Sequence, residues 1–175
     1  MIEEVILVDN EDRQIGLMEK MQAHREAKLH RAFSVFLLND KGEVLLQQRA
    51  LDKYHCGGMW TNACCSHPRA GESLQAAVDR RLQEEMGIVC ETNWVYSFIY
   101  KADVGEGLFE HEFDHVFFGR FSDEPKPDAN EVSDWAYVTL EELRSDVAVN
   151  PTKYTPWFKI ILAEVLDKNI LNKVA

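Results

Sequence analysis

Apolar and polar residues alternate through much of the first half of the chain, the period of a strand with one buried face. Val5 to Val8 predicts one strand. Ala32 to Leu38 and Val44 to Gln48 predict a hairpin around Asn39-Asp40-Lys41-Gly42, a run of residues that tight turns favour. Ala50 to Gly58 reads as loop, broken by Gly57 and Gly58. The period then changes: from Ser73 to Met86, the residues Leu74, Ala77, Val78, Leu82 and Met86 recur at helical spacing. Ser73 is a suitable N-cap and Gly87 a suitable terminator, which brackets a helix. Further strands are predicted over Trp94 to Ala102, Phe109 to Phe121 and Ser133 to Val138, with helices over Leu140 to Asp146 and Pro156 to Lys168. Asp123 to Asn130, with Pro125 and Pro127, is an acidic connection. Strands, a central helix, more strands and terminal helices predict an α/β/α sandwich around a mixed sheet. No repeat or linker divides the 175 residues, so residues 1–175 are expected to form one domain.

The chain is 46% hydrophobic and 28% charged, a globular composition. Its net charge of −11 argues against nucleic-acid and anionic-membrane binding. No apolar run approaches the roughly 20 residues that span a bilayer. The first residues carry Glu3, Glu4, Asp9, Glu11 and Asp12, the opposite of a basic leader, so a cytoplasmic location is expected. Cys56, Cys64, Cys65 and Cys90 then read as free thiols, adjacent Cys64 and Cys65 being poor partners for each other. Nothing in the composition specifies an oligomeric state. The charge is uneven: between Lys20 and Arg81 there are ten basic and six acidic residues, a basic island in an acidic chain.

Three segments carry candidate chemistry. The predicted central helix runs from Gly71-Glu72 to Arg80-Arg81-Leu82-Gln83-Glu84-Glu85-Met86-Gly87-Ile88 and resembles the Nudix box. Glu72, Arg80, Leu82, Glu84, Glu85, Gly87 and Ile88 match that pattern in register, while Ser66 replaces its first Gly and Arg81 replaces a Glu. Nudix hydrolases hold Mg²⁺ against a diphosphate with this Glu cluster, so a guanidinium at Arg81 weakens a hydrolase reading. Immediately before the helix, Cys65 and His67 stand two apart, which on an extended segment places both side chains on one face. A structural zinc module is the rival there, but no second Cys-x-x-Cys or His pair accompanies it. In Glu110-His111-Glu112-Phe113-Asp114-His115, a strand puts the three carboxylates on one face and the two histidines on the other. Like charges at that spacing repel unless a cation or proton intervenes. His24 and His30 taken singly read as surface histidines. Taken with His67, Glu110 and Glu112 they make a mixed set suited to a divalent metal.

In their order and spacing these segments resemble the type I isopentenyl-diphosphate isomerases. The carrying stretches are Glu19-Lys20 with His24, Leu29 to Ser34, Gln48-Arg49-Ala50, Trp60-Thr61-Asn62 through Cys65-Ser66-His67-Pro68, the divergent Nudix helix, Glu110-His111-Glu112, and Thr155-Pro156-Trp157. The resemblance implies a Nudix-like fold, reversible conversion of isopentenyl to dimethylallyl diphosphate through a tertiary carbocation, and no flavin. It implies that His24, His30, His67, Glu110 and Glu112 hold one divalent metal (Mn²⁺, Mg²⁺ or Zn²⁺). It further implies that Glu85 holds Mg²⁺ together with the diphosphate. Cys65 and Glu112 become the proton carriers, with Tyr100 assisting Glu112; Lys20, Arg49, Lys53 and Arg81 bind the diphosphate, and Trp157 faces the hydrocarbon. The only partner implied is a small diphosphate substrate. A Nudix pyrophosphohydrolase and a non-catalytic metal-stabilised module are the alternatives; the first leaves Cys65, His24 and His30 idle, and the second has no use for a thiol opposite an acid.

Overall fold

The structure, a computed structural model, describes residues 3–168. In chain order the elements are β1 (Glu4–Val8), β2 (Gln14–Glu19), α1 (Lys20–Arg25), β3 (His30–Leu38), β4 (Val44–Arg49), β5 (Trp60–Asn62), β6 (Cys64–Ser66), α2 (Leu74–Met86), β7 (Thr92–Gly105), β8 (Leu108–Arg120), β9 (Val132–Val138), α3 (Leu140–Val149), a 3-10 turn (Pro151–Lys153) and α4 (Pro156–Asp167).

β3 is the axis of a mixed sheet. It pairs in parallel with β8, from His30 opposite Glu112 to Leu38 opposite Arg120, and antiparallel with β6, where Ser34 faces Cys65. Its alternate side chains go to opposite layers. Phe33, Val35 and Leu37 pack with Ala77, Val78, Leu82 and Met86 of α2. Phe36 and Leu38 share the other core with Phe158, Ile161 and Leu162 of α4. With helices over both faces, β3 is apolar on both, and the expected α/β/α sandwich is the observed one. No helix among the described residues is long and apolar enough to cross a membrane.

The predicted hairpin opens at once. β3 and β4 meet only at Leu38 opposite Val44, where Asn39 Oδ1 accepts from the amides of Lys41 (3.0 Å) and Glu43 (2.9 Å) and closes the turn. Beyond that pair β3 is committed to β6 and β8, and β4 to β5 and β9, so neither has an edge left for the other. The sequence reading also passed over β2 and α1. The apolar residues Ile15 and Leu17 of β2 lie on an exposed face, and α1 is only six residues long, too short to show a period. Glu19 caps α1 by accepting from Met21 N (2.8 Å) and Gln22 N (2.7 Å).

α2 begins at the Ser73 cap, which accepts from Ala76 N, and ends at Gly87 in the left-handed region, φ 64°. Gly87 N donates to Gln83 O and Ile88 N to Leu82 O, so the last turn is tied off and the chain turns away. A Cβ at Gly87 would stand 2.4 Å from Lys126 O. Gly87→Ala is therefore expected to destabilise the protein by at least about 1–2 kcal/mol, the cost of a left-handed L-residue. Urea unfolding should show a lowered midpoint at constant m; an unchanged midpoint contradicts this account of the helix end.

Candidate active site

Strand register brings the chemistry into one row. His30 lies opposite Glu112 in the β3–β8 ladder, and Tyr100 lies opposite Glu112 in the β7–β8 ladder. Glu110, Glu112 and Asp114 alternate onto the face of β8 that also carries Val116 and Phe118 into the α4-side core, and all three are buried. α1 adds His24, and the residue after β6 adds His67. Both His24 and His30 are 0% exposed, which corrects the reading of each as a surface histidine. The two remaining strand histidines face away and are satisfied. His111 Nδ1 donates to Ala27 O (2.8 Å), and His115 sits between Ser97 (2.8 Å) and Asp12 (3.0 Å).

The imidazoles are oriented by their outer nitrogens. A carbonyl only accepts, so His24 Nδ1 donates to Lys20 O (2.7 Å) and His30 Nδ1 to Lys28 O (2.8 Å), which turns both Nε2 atoms inward. His30 Nε2 lies 3.2 Å from His67 Nε2, and His24 Nε2 lies 3.1 Å from Glu110 Oε2. Ligand atoms of His24, His30, His67 and Glu110 all fall within 4.8 Å of one another. Glu112 Oε1 is alongside, 3.0 Å from His67 Nε2 and 3.7 Å from His30 Nε2. Burial pushes His30 down to about 4 and, reinforced by His30, holds His67 well below the usual histidine range, so both rings are neutral. Burial works against the charge of Glu110, but His24 and His55 outweigh it and keep that carboxyl ionised. Burial and the charges of Glu110 and Asp114 push Glu112 well up, and Tyr100 donates to its Oε2 at 2.6 Å. Three imidazole nitrogens and a carboxylate oxygen converging within 4.8 Å, with Glu112 alongside, fit a divalent cation held by nitrogen and oxygen donors.

The two adjacent cysteines occupy opposite faces of β6. Cys64 is wholly buried in the α2-side core; Cys65 faces the pocket. Cys65 Sγ donates to Asn62 Oδ1 (3.0 Å) and lies 3.4 Å from Ser34 Oγ. Burial and the Asp114 charge push its thiol far up, so it rests as S–H. Burial, with the Glu110 charge, pushes Asp114 up to about 7.

The other end of the pocket is cationic. Arg81 reaches Glu85 (2.5 Å), Glu84 (2.6 Å) and Glu131 (3.6 Å), while Lys53 pairs with Glu131. Gln47 Nε2 bridges Glu85 Oε2 (2.9 Å) and Ala63 O (2.8 Å). Lys20 contacts Glu3 (3.3 Å) and lies over the Tyr54 ring. Trp157 enters the pocket because Thr155 caps α4 and Thr155 N donates to Trp60 O (3.0 Å), pinning the first turn beside β5. Its Nε1 donates to Thr61 Oγ1 (3.2 Å), and the Arg49 guanidinium lies 5.2 Å from its ring centroid.

A NUDIX domain model matches residues 28–158. The chain is 46% identical to isopentenyl-diphosphate Delta-isomerase 2 of Aromatoleum aromaticum, covering 98% of this chain and 91% of that protein. It is 51% identical to isopentenyl-diphosphate Delta-isomerase 2 of Photorhabdus laumondii, covering 93% and 92%. The chain belongs to the isopentenyl-diphosphate Delta-isomerase family of NUDIX proteins. DR0079 of Deinococcus radiodurans shares the fold at a TM-score of 0.72 and 21% identity, over 85% of this chain and 90% of that one.

One pocket brings together most of the residues that the family resemblance implies: Cys65, Glu112, Tyr100, Glu110, His67, Glu85, Lys20, Arg49, Lys53, Arg81 and Trp157 all line it. His24 and His30 stand behind its wall, against Glu110 and His67. The residue that sequence reasoning passed over is His55, in the loop after β4; its spacing of two from Lys53 was the available signal. Asn62, Ser34 and Gln47 were also missed, being polar groups buried by strand pairing rather than by any local pattern.

Chelation tests the fit of the His/Glu cluster to a cation. A divalent ion at a hundredfold its Kd adds about 2.7 kcal/mol, which for a chain of this size is roughly 5–10 °C in Tm. EDTA should lower Tm by that order and Mn²⁺ should restore it, whereas a Tm indifferent to both contradicts the fit.

Proposed function

We propose that the chain interconverts isopentenyl and dimethylallyl diphosphate by protonating one end of an allylic system and deprotonating the other, as a step of isoprenoid biosynthesis. The observation that carries this reading is the pair of proton carriers, half-buried Cys65 from β6 and buried Glu112 with Tyr100 from β8 and β7, in one pocket that Lys20, Arg49, Lys53 and Arg81 also line. Curated relatives along nearly the whole chain bear the name of this isomerase.

Arg49, Lys53, Arg81 and Lys20 take the diphosphate. Their present partners are carboxylates, the faces of aromatic rings and, for Arg49, the His55 carbonyl, contacts that phosphate oxygens can replace. Glu85, whose two oxygens are fixed by Arg81 and Gln47, would hold Mg²⁺ together with the diphosphate. His24, His30, His67, Glu110 and Glu112 would hold a divalent ion (Mn²⁺, Mg²⁺ or Zn²⁺), which when bound would supply charge that increases the acidity of Glu112.

In the forward direction Glu112, oriented by Tyr100, gives its proton to the terminal methylene and leaves a tertiary cation. The Cys65 thiol, having released its proton to solvent before substrate fills the pocket, acts as a thiolate and removes a proton from the allylic methylene. The double bond re-forms between the two adjacent carbons, and Glu112 regains a proton from solvent. In reverse the thiol donates and Glu112 accepts. The raised proton affinity of Cys65 makes its thiolate, once formed, a strong base. The Trp157 ring lines the pocket and would take the hydrocarbon, and a ring face stabilises a cation by about 0.5–2 kcal/mol. We read residues 1–175 as one such domain, working in the cytoplasm on a small diphosphate, with its four cysteines free, independently of flavin, nucleic acid and membranes.

Cys65→Ala and Glu112→Gln are each expected to abolish interconversion, by at least about 10²–10⁴-fold, without loss of fold. Cys64→Ala, on the opposite face of β6, should retain most activity. Interconversion followed by proton NMR checks this, and an active Cys65→Ala enzyme contradicts the assignment.

A further inference from the structure

His55 belongs to none of the groups assigned above, yet its side chain is 4% exposed and lines the pocket. Its Nε2 lies at ion-pair distance, 3.2 Å, from Glu110 Oε1, and neither ring nitrogen makes an aligned hydrogen bond among the described residues, so the ring's nearest polar neighbour is that carboxylate. The ring stands edge-on to Tyr54 (centroids 4.3 Å apart) and to Trp157 (5.4 Å). It sits outside the four-donor set of His24, His30, His67 and Glu110, with its centroid 6.2 Å from that of His24. The two oxygens of Glu110 are thus divided between two neighbours: Oε2 faces His24 and Oε1 faces His55.

The loop after β4 is built to aim this ring inward. Cys56, next in the chain, holds the left-handed conformation, φ 50°. Gly57 follows, where a Cβ would stand 2.4 Å from Leu51 O. Gly58 N donates to Arg49 O (3.0 Å), and the Arg49 guanidinium donates to His55 O (3.2 Å). The same loop carries Lys53 and Tyr54, so the His55–Glu110 contact joins the diphosphate end of the pocket to the His/Glu cluster.

We propose that His55 is a positioning residue: its Nε2–H holds Oε1 of Glu110, leaving Oε2 to a cation among the three imidazoles, and so couples the Lys53 loop to the metal centre. The proposal rests on the metal reading of the His/Glu cluster. Outer partners of metal ligands are worth about 10–100-fold in metal affinity.

Co²⁺ affinity of the full chain without substrate, measured by chelator competition together with the Co²⁺ absorption spectrum, tests it. His55→Phe keeps the ring contacts with Tyr54 and Trp157 and removes the donor; His55→Gln keeps an N–H donor and removes the ring. Expected is about 10–100-fold weaker Co²⁺ binding with an altered spectrum for His55→Phe, and near wild-type behaviour for His55→Gln. His55→Leu gives the same reading as the phenylalanine variant if that one does not fold. Unchanged affinity and spectrum in His55→Phe, or a loss in His55→Gln as large as in His55→Phe, overturns the proposal alone. Wild-type protein that binds no Co²⁺ overturns the metal reading and the proposal with it.

Discussion

Three carboxylates on one buried face of β8 are the constraint to which the rest of the molecule answers. Glu110, Glu112 and Asp114 recur at the strand period, 5%, 7% and 0% exposed. Isolated charges in such a place cost several kcal/mol each, so each must be paired or carry a proton. The fold divides the labour. Glu110 stays ionised against imidazoles, Glu112 is pushed up and hydrogen-bonded by Tyr100, and Asp114 is raised toward neutrality. The smallest elements serve this arrangement: α1 is a single capped turn and a half that delivers His24, and β6 is three residues that deliver Cys65 and lead to His67.

Alternation across a sheet also explains how adjacent, chemically identical residues differ. Cys64 and Cys65 point to opposite layers, one into the α2 core and one into the pocket. The Nudix helix is reused in the same spirit. Arg80 is clamped to Glu72 (2.7 Å) and fixes the entry of α2, whereas Arg81, where a hydrolase has a carboxylate, turns to Glu85 and the pocket. A guanidinium there leaves one fewer carboxylate on the helix than the Nudix box provides.

Much of the fold was legible because the long elements show one period cleanly. The stripe from Leu74 to Met86 and the Ser73 and Gly87 signals placed α2 at its observed bounds. What was not legible has physical causes. The hairpin at Asn39 opens because its strands pair with partners far along the chain, and no local pattern announces that. Within the candidate site, the types and spacings of Cys65, His67, Glu110 and Glu112 pointed to metal and proton chemistry. The burial of His24 and His30 comes from α1 folding back over β3 and β8, and His55 comes from a loop whose shape depends on Cys56 and Gly57.

The net charge of −11 reads differently once the pocket is in view. The four basic residues assigned to the diphosphate lie within the basic island, and Glu110, Glu112 and Glu85 face the pocket where cations fit. A net negative charge is therefore compatible with the proposed binding of one small diphosphate. The central claim is a proton exchange with carbon, and it is tested most directly by incubating the protein with isopentenyl diphosphate and Mg²⁺ in deuterium oxide without flavin. Deuterium in the dimethylallyl diphosphate formed is the predicted result; isopentenyl diphosphate recovered unlabelled and unconverted contradicts the account.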